Sequence, residues 1–313
     1  MPTKDFYEKE LTKELARRKH LNFIQYCWGK NDPFLVGVHT VKICSYIDYA
    51  FDQYRKGKST FAIIQTPPQH GKSDILSRYL PPHFLAEFPE KEAIIVSHCA
   101  TQAYKFSKFG RKLFRSSDKF RELYPHIHLA GDSQRVENWE LDNGIGKAQW
   151  FGVQSGIAGN GGDCNILDDY FANRGDADSA VMKEKVWNEF TDGMLTRRHD
   201  PSIFIIVATQ WDVDDIIGRY TTKMKDNPKF PQAEIIKFPA RSDSYESGYL
   251  FPEMYSKEFY EDQEIFLGSY GWLSLYQQTP THRGGNLFQI GGVNIIDLDN
   301  ETIYPYGTNK VAA

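Results

Sequence analysis

The chain has 313 residues, a formal net charge of −4 and 41% apolar or aromatic residues, the make-up of a folded soluble protein with a substantial core. The slight acidity excludes a uniformly basic nucleic-acid coat but leaves room for a local basic patch. No apolar run approaches the roughly 20 residues that span a bilayer, and the charged start MPTKDFYEKELTKELARRKH lacks the apolar centre of a secretory signal, so the chain reads as intracellular.

The first 30 residues read as helical and charged. From Val38 to Tyr54, apolar residues at Ile43, Ile47, Ala50 and Tyr54 keep helical spacing, and the basic turn RKGKS around Gly57 ends that helix. Four short apolar runs follow: 61–66 (FAIIQT), 93–98 (AIIVSH), 164–168 (CNILD) and 203–209 (IFIIVAT). None alternates strictly, which suits strands buried on both faces of a parallel sheet. The segments between them supply crossover helices. SDILSRYL is one, expected to stop at Pro81-Pro82; 101–114 is another; a third carries Met182, Val186, Phe190 and Met194 at i, i+4 spacing. Strands alternating with helices predict an α/β sandwich. The 131–163 segment breaks the rhythm with a hairpin, NWELDNG to AQWFGVQ, and the glycine-rich GIAGNGGD. After Pro239 the periodicity weakens, and the sequence reads as a smaller, extended subregion packed on the sheet. Cys27, Cys44, Cys99 and Cys164 form no C-x-x-C pair and read as scattered buried thiols.

Three strand ends carry polar residues in a telling order. TPPQHGKS, Thr66 to Ser73, stands between the first strand and the first crossover helix. It offers Gly71, Lys72 and Ser73 where a phosphate-binding loop needs a turn, a cation and a magnesium-binding hydroxyl. A bare Gly-Lys-Ser is common in surface turns, so the flanking strand and helix matter. Pro67 and Pro68 donate no N–H but stiffen the loop. At the end of CNILD, Asp168 is placed to hold Mg²⁺ and Asp169 to orient or deprotonate the attacking water, although adjacent acids can equally cap a turn. IFIIVAT ends in Thr209-Gln210, where a polar tip could sense a γ-phosphate.

The phrases TPPQHGKS, IIVSHCATQAYKFSKFGRKL, GIAGNGGDCNILDDYFAN, LTRRHDPSIFIIVATQWDVDDIIGRY and YLFPEMY…YGWLSLYQQTP…GGNLF resemble the large subunit of tailed-phage terminase. The resemblance implies a RecA-like P-loop ATPase of the additional-strand, catalytic-acid type. Its mainly parallel central sheet would be flanked by helices and joined to a small linker or lid subregion. It implies ATP and Mg²⁺ as cofactors, with Thr66, Pro67, Pro68, Gln69, His70, Gly71, Lys72 and Ser73 on the nucleotide, Ser73 and Asp168 on the metal, and Asp169 and Lys72 catalytic. Thr209 and Gln210 would couple hydrolysis to movement, and Phe34 and His39 would meet the adenine. The implied partners are double-stranded DNA, a portal protein, the small terminase subunit and further copies in a ring, as a pentamer on the procapsid and a monomer in isolation. The setting would be the cytoplasm of the infected bacterial host, with no membrane association and no place in the mature virion.

Two departures stand out. Gln69 occupies a loop position where many relatives have arginine, and Asp169 replaces the commoner glutamate. An arginine from elsewhere is therefore expected to reach the transition state: Arg135, Arg174, Arg198 or, preferred, Arg197 as a finger from a neighbouring subunit. By the same resemblance, 1–240 is the ATPase core with 1–58 its helical N-terminal part, 241–290 a linker or lid, and 291–313 a tail. The 25 or so residues after GGNLFQ, with Asp297, Asp299 and Glu301, are too few for a ribonuclease-H-type nuclease, so the ATPase part alone and no nuclease activity are expected. DNA contact is a candidate role for Lys105 to Arg115, where basic and aromatic residues mix. The rival readings are a metal-dependent endonuclease built from Asp168, Asp169, Asp176, Asp178, Asp212, Asp214 and Asp215, and a DNA-binding scaffold with a decayed nucleotide site.

Overall fold

The computed structural model describes residues 3–281, 294–297 and 302–305, apart from Lys30, Ser133, Gln134, Gln154 and Ala158. Helices α1 (Lys4–Arg18), α2 (His20–Cys27) and α3 (Val38–Arg55) precede strand β1 (Thr60–Gln65). A π-helical turn, Asp74–Tyr79, then runs into α4 (Leu80–Glu87). The expected stop at Pro81-Pro82 is corrected here. The prolines occupy the first turn of α4, directly after the π-helical turn, and the crossover continues through them.

Next come β2 (Glu92–Ser97), α5 (Ala100–Ser116), α6 (Asp118–Leu123), β3 (Asn138–Glu140), β4 (Lys147–Gly152) and β5 (Gly162–Asp168). Then α7 (Arg174–Asp178), α8 (Ala180–Asn188), β6 (Arg198–Ala208), α9 (Ile216–Asp226), β7 (Glu234–Lys237) and α10 (Lys257–Leu275) follow. One seven-stranded sheet takes the order β3-β4-β2-β5-β6-β1-β7, and every neighbouring pair is parallel except β3 with β4. The hairpin expected at 131–163 is present, but β4 also pairs with β2 and so extends the main sheet.

Alternation along each strand builds two cores. Ala62 and Ile64 of β1, with Ile203, Ile205 and Val207 of β6, join the cluster under α3, α4 and α5. Ile63, Phe204, Ile206 and Ala208 face the other way, against Val186, Phe190, Met194, Ile217 and Tyr220. Side chains of period two buried on both faces leave no polar positions, which is why the runs look continuous in sequence. At about 1.5–3 kcal/mol for each fully buried aliphatic side chain, both faces contribute heavily to stability.

The weakly periodic stretch after Pro239 contains a 19-residue helix, α10, in place of the extended chain expected there. Its pattern is blurred by Gly268, whose φ of 62° breaks the helix partway along. Three of the four cysteines are buried, but Cys99 is exposed at the N-cap of α5. Residues 1–280 form one compact unit. A second, 281–313, contains the antiparallel pair β8 (Asn294–Asp297) and β9 (Thr302–Pro305); GGNLF, Asp299 and Glu301 lie outside the described residues. No described helix is long and apolar enough to cross a membrane.

Candidate nucleotide site

The carboxyl ends of the central strands share one edge. Gln65 is in register with Ala208, Asp168 with Val207, and Ser97 with Asp168. Open α/β sheets bind ligands at this edge, and a cavity of about 380 Å³ opens there.

Its floor is the loop after β1. Gln69 (φ 60°) and Gly71 (φ 76°) both take the left-handed conformation, which curls the chain so that Pro68, Gln69, Gly71, Lys72 and Ser73 line the cavity. Thr66, Pro67 and His70 do not line it. Thr66 is buried in the floor, where its carbonyl accepts the Thr209 hydroxyl at 3.1 Å. The His70 ring turns away from the cavity and under the loop. Its Nδ1 lies 2.7 Å from the Pro68 carbonyl and its Nε2 2.9 Å from the Tyr260 hydroxyl. Burial pushes His70 down to about 3, so the ring is neutral. Nδ1–H therefore donates to Pro68 and Nε2 accepts from Tyr260, whose oxygen in turn accepts the Phe251 N–H at 3.2 Å. His39, likewise held neutral by burial at about 4, donates through Nε2 to the His70 carbonyl at 2.9 Å. Both histidines thus brace the loop from behind.

Lys72 Nζ lies 3.1 Å from Asp169 Oδ2 and donates to Thr209 Oγ1 at 3.2 Å. The lysine side chain is 7% exposed and that of Asp169 30%, so the acid faces the cavity and the cation is set deep. Asp169 has φ of 44°, a conformation that Asp tolerates better than most residues. Its Oδ1 accepts the Thr209 N–H at 3.1 Å. Asp168 is buried beneath, accepting from Ser73 Oγ at 3.2 Å and from Ser77 Oγ. Burial and then the neighbouring Asp169 push Asp168 up to about 7, against the opposing pull of Lys72, Ser77 and Ser73.

The sign of that shift is testable. Between the ordinary carboxylate range and about 7, folded Asp168 keeps a proton that the unfolded residue has released. It therefore favours folding at low pH, and the contribution is lost as pH rises through 7. Buried neutral histidines oppose this trend in the whole chain, so the comparison must be with a variant. In metal-free buffer, thermal unfolding should show Asp168→Asn gaining stability relative to wild type as pH rises from about 5 to about 8. A difference that stays constant across the range would refute the assignment.

The remaining expected residues are placed elsewhere. Thr209 lines the cavity, but Gln210 turns to the opposite side, accepting from Gln65 Nε2 at 2.6 Å while its N–H donates to Gln278 Oε1 at 2.9 Å. Phe34 packs on Trp28, ring centroids 4.8 Å apart, and does not line the cavity. Arg197 precedes β6, at the opposite end of that strand from Thr209; Arg198 pairs with Gly162 and Val207 with Asp168, six residues or about 20 Å along β5. Arg197 bonds its own turn, at the Gly193 carbonyl, and cannot reach this chain's cavity. Arg174 ties the Trp211 carbonyl to Ser274. The acids proposed for an endonuclease are dispersed: Asp212 pairs with Lys183, Asp214 with Arg219, and Asp215 caps α9. Among the described residues no group of three or more acids, histidines or cysteines is placed to hold a metal ion by itself.

Eight wall residues escaped sequence reasoning: Asp74, Arg78, His98, Gln102, Phe106, Phe171, Ala172 and Trp211. Arg78 had a signal in SDILSR, since Asp74 and Arg78 stand i, i+4 and their side chains pair. His98, Gln102 and Phe106 follow β2, which carries no recognisable loop pattern.

No family profile and no curated protein matches the sequence. Solved structures do match. The large terminase of bacteriophage HK97 superposes with a TM-score of 0.56 at 16% identity, over 84% of this chain and 55% of that one. The ATPase domain of the large terminase of Thermus phage P74-26, a point mutant, gives 0.51 at 15% identity, over 83% of this chain and 98% of that domain. The fold is that of a large-terminase ATPase domain. The chain spans about half the length of the HK97 large terminase. The RecA-like architecture that the resemblance implied is present, and the loop after β1, Asp168, Asp169 and Thr209 converge on one edge of its sheet.

Proposed function

We propose that this chain is the ATPase of a viral DNA-packaging motor, hydrolysing ATP to drive double-stranded DNA into a procapsid. The observation that carries this reading is the convergence of Lys72, Asp169 and Thr209 within about 3 Å of one another beside buried Asp168 and the Ser73 hydroxyl bonded to it. A scaffold with a decayed site has no use for a buried lysine facing a half-exposed acid, and the likeness to a terminase ATPase domain supports the same choice.

In this reading Lys72 grips the β- and γ-phosphates. Asp169 orients water against the γ-phosphorus and takes its proton as the bond to the ADP oxygen breaks. In the resting chain Lys72 is paired with Asp169. An arriving phosphate competes for the lysine and frees the acid for its water. Ser73 and Asp168 offer the hard oxygen donors that Mg²⁺ requires, and the ion would neutralise charge developing on the phosphates. Thr209, bonded to Lys72 and by its N–H to Asp169, registers the change in charge.

Portal protein, small terminase subunit and further copies of the chain in a ring are the partners this function requires, in the cytoplasm of an infected bacterium. A neighbouring copy would also be the recipient of Arg197. The DNA-contacting surface we assign to α5, where Lys105, Lys108, Lys112 and Arg115 are exposed on one side. Such contacts would be to backbone phosphates, as a motor indifferent to sequence needs. ATP hydrolysis by the chain should rise severalfold on adding linear duplex DNA, and the rise should fall with added salt. Turnover equal with and without DNA at low salt would count against a packaging role while leaving the ATPase intact.

A further inference from the structure

We propose that His98 is a further catalytic residue, donating from its Nε2–H to an oxygen of the terminal phosphate; this rests on the ATPase reading above. His98 is the first residue after β2, and its main-chain N–H donates to the Asp169 carbonyl at 2.8 Å. Ser97 before it is in register with Asp168. Neighbouring strands lie about 5 Å apart, so His98 is the strand-to-strand neighbour of the proton-accepting acid. Both residues line the cavity.

The two serve different sides of it. β5, which ends at Asp168, lies between β2 and β6 in the sheet. The Asp169 carboxylate turns towards β6 and the loop, where it accepts the Thr209 N–H and meets Lys72. The β2 side of the cavity is left to His98 and to Gln102 in the first turn of α5.

Hydrogen bonding decides what the ring offers there. Its Nδ1 lies 3.5 Å from Oγ of Ser97, a hydroxyl that is buried and has no other partner among the described residues. A buried hydroxyl proton needs an acceptor, so Ser97 donates to Nδ1. The ring's own proton is then on Nε2, which has no partner among the described residues.

A donor is what this wall requires. A phosphoryl group in transfer spreads its charge over three oxygens. In the proposed reading Lys72 meets one, and the Ser73 and Asp168 side faces another. Gln69 brings no charge, and Arg78 is tied to Asp74, so the third oxygen falls to the β2 side. The start of α5 adds to the effect. Its N-cap, Cys99, makes no side-chain bond and its first turn holds no acid, which leaves the positive end of the helix dipole uncompensated at that wall.

The test compares turnover and binding in wild type, His98→Ala and His98→Gln, with duplex DNA present. His98→Ala should lower kcat about 10²-fold, the cost of one donor aimed at charge that develops in the transition state. Its affinity for ADP, which lacks the terminal phosphate, should stay within about twofold of wild type. Its affinity for ADP with aluminium fluoride, a mimic of the phosphoryl group in transfer, should fall about as far as kcat. His98→Gln keeps an N–H donor and should recover about tenfold of the lost turnover. His98→Leu fills the space without a donor and takes the place of the alanine variant if that one does not fold. Turnover within about twofold of wild type in a folded donor-free variant overturns the assignment, as does an equal loss of ADP and of the mimic; the ATPase reading survives either result. Wild type no faster than Lys72→Ala overturns the ATPase reading, and the role of His98 with it.

Discussion

Lys72→Ala should lower ATP turnover by about 10²–10³, the usual cost of removing one preorganised charge from a transition state. The expectation is strong because the side chain is 7% exposed and its Nζ touches two polar partners, which hold the charge in place. Arg78 is the other cation lining the cavity, and its guanidinium is tied to Asp74. Phosphate release under saturating ATP and DNA is the measurement, with folding checked by thermal unfolding. Turnover within about twofold of wild type would sink the assignment of the loop.

Asp169→Asn should lose about 10²–10⁴ in kcat, the range for a general base. ATP affinity should hold or improve, because the neutral amide no longer competes with phosphate for Lys72. That split distinguishes the acid from a structural residue. A purely structural Asp169, anchoring Thr209 through its N–H, would lose binding and turnover together. Asp169→Glu offers a second check, since the extra methylene reaches further into the cavity while keeping the charge. It should retain measurably more turnover than the amide. If Asn and wild type turn over alike, the proton acceptor is another group.

The sheet was legible because its strands are buried on both faces and end in the residues that matter. FAIIQ, CNILD and IFIIVA each deliver a polar tip to the same edge, and chain order alone placed those tips in sequence. What sequence could not resolve was direction. Thr66, His70 and Gln210 all belong to motifs that meet the nucleotide edge, yet Thr66 is fully buried, the His70 ring turns to the rear of the loop and the Gln210 side chain to the opposite side of β6. A motif states which residues are near a ligand; only packing states which of them point at it. The wall residues Gln102 and Phe106 were invisible for the complementary reason. They come from α5, whose exposed and buried positions alternate normally, and only the approach of α5 to the π-helical turn makes them a wall. Likewise α10 was hidden by its kink at Gly268, which shifts the buried face partway along.

Thr209 and Gln210 are consecutive residues, and they serve opposite sides of the molecule. The first is bonded to the lysine in the cavity. The second is bonded, by its main-chain N–H, to Gln278 in the segment that leaves α10, and Gln278 holds the left-handed conformation (φ 53°) to present its amide there. The peptide unit between them is planar and rigid, so a single main-chain group joins the floor of the cavity to a hydrogen bond with the side chain of Gln278. In the proposed motor, any displacement of Thr209 would reach the segment that leaves α10 through that one peptide group and that one side-chain amide.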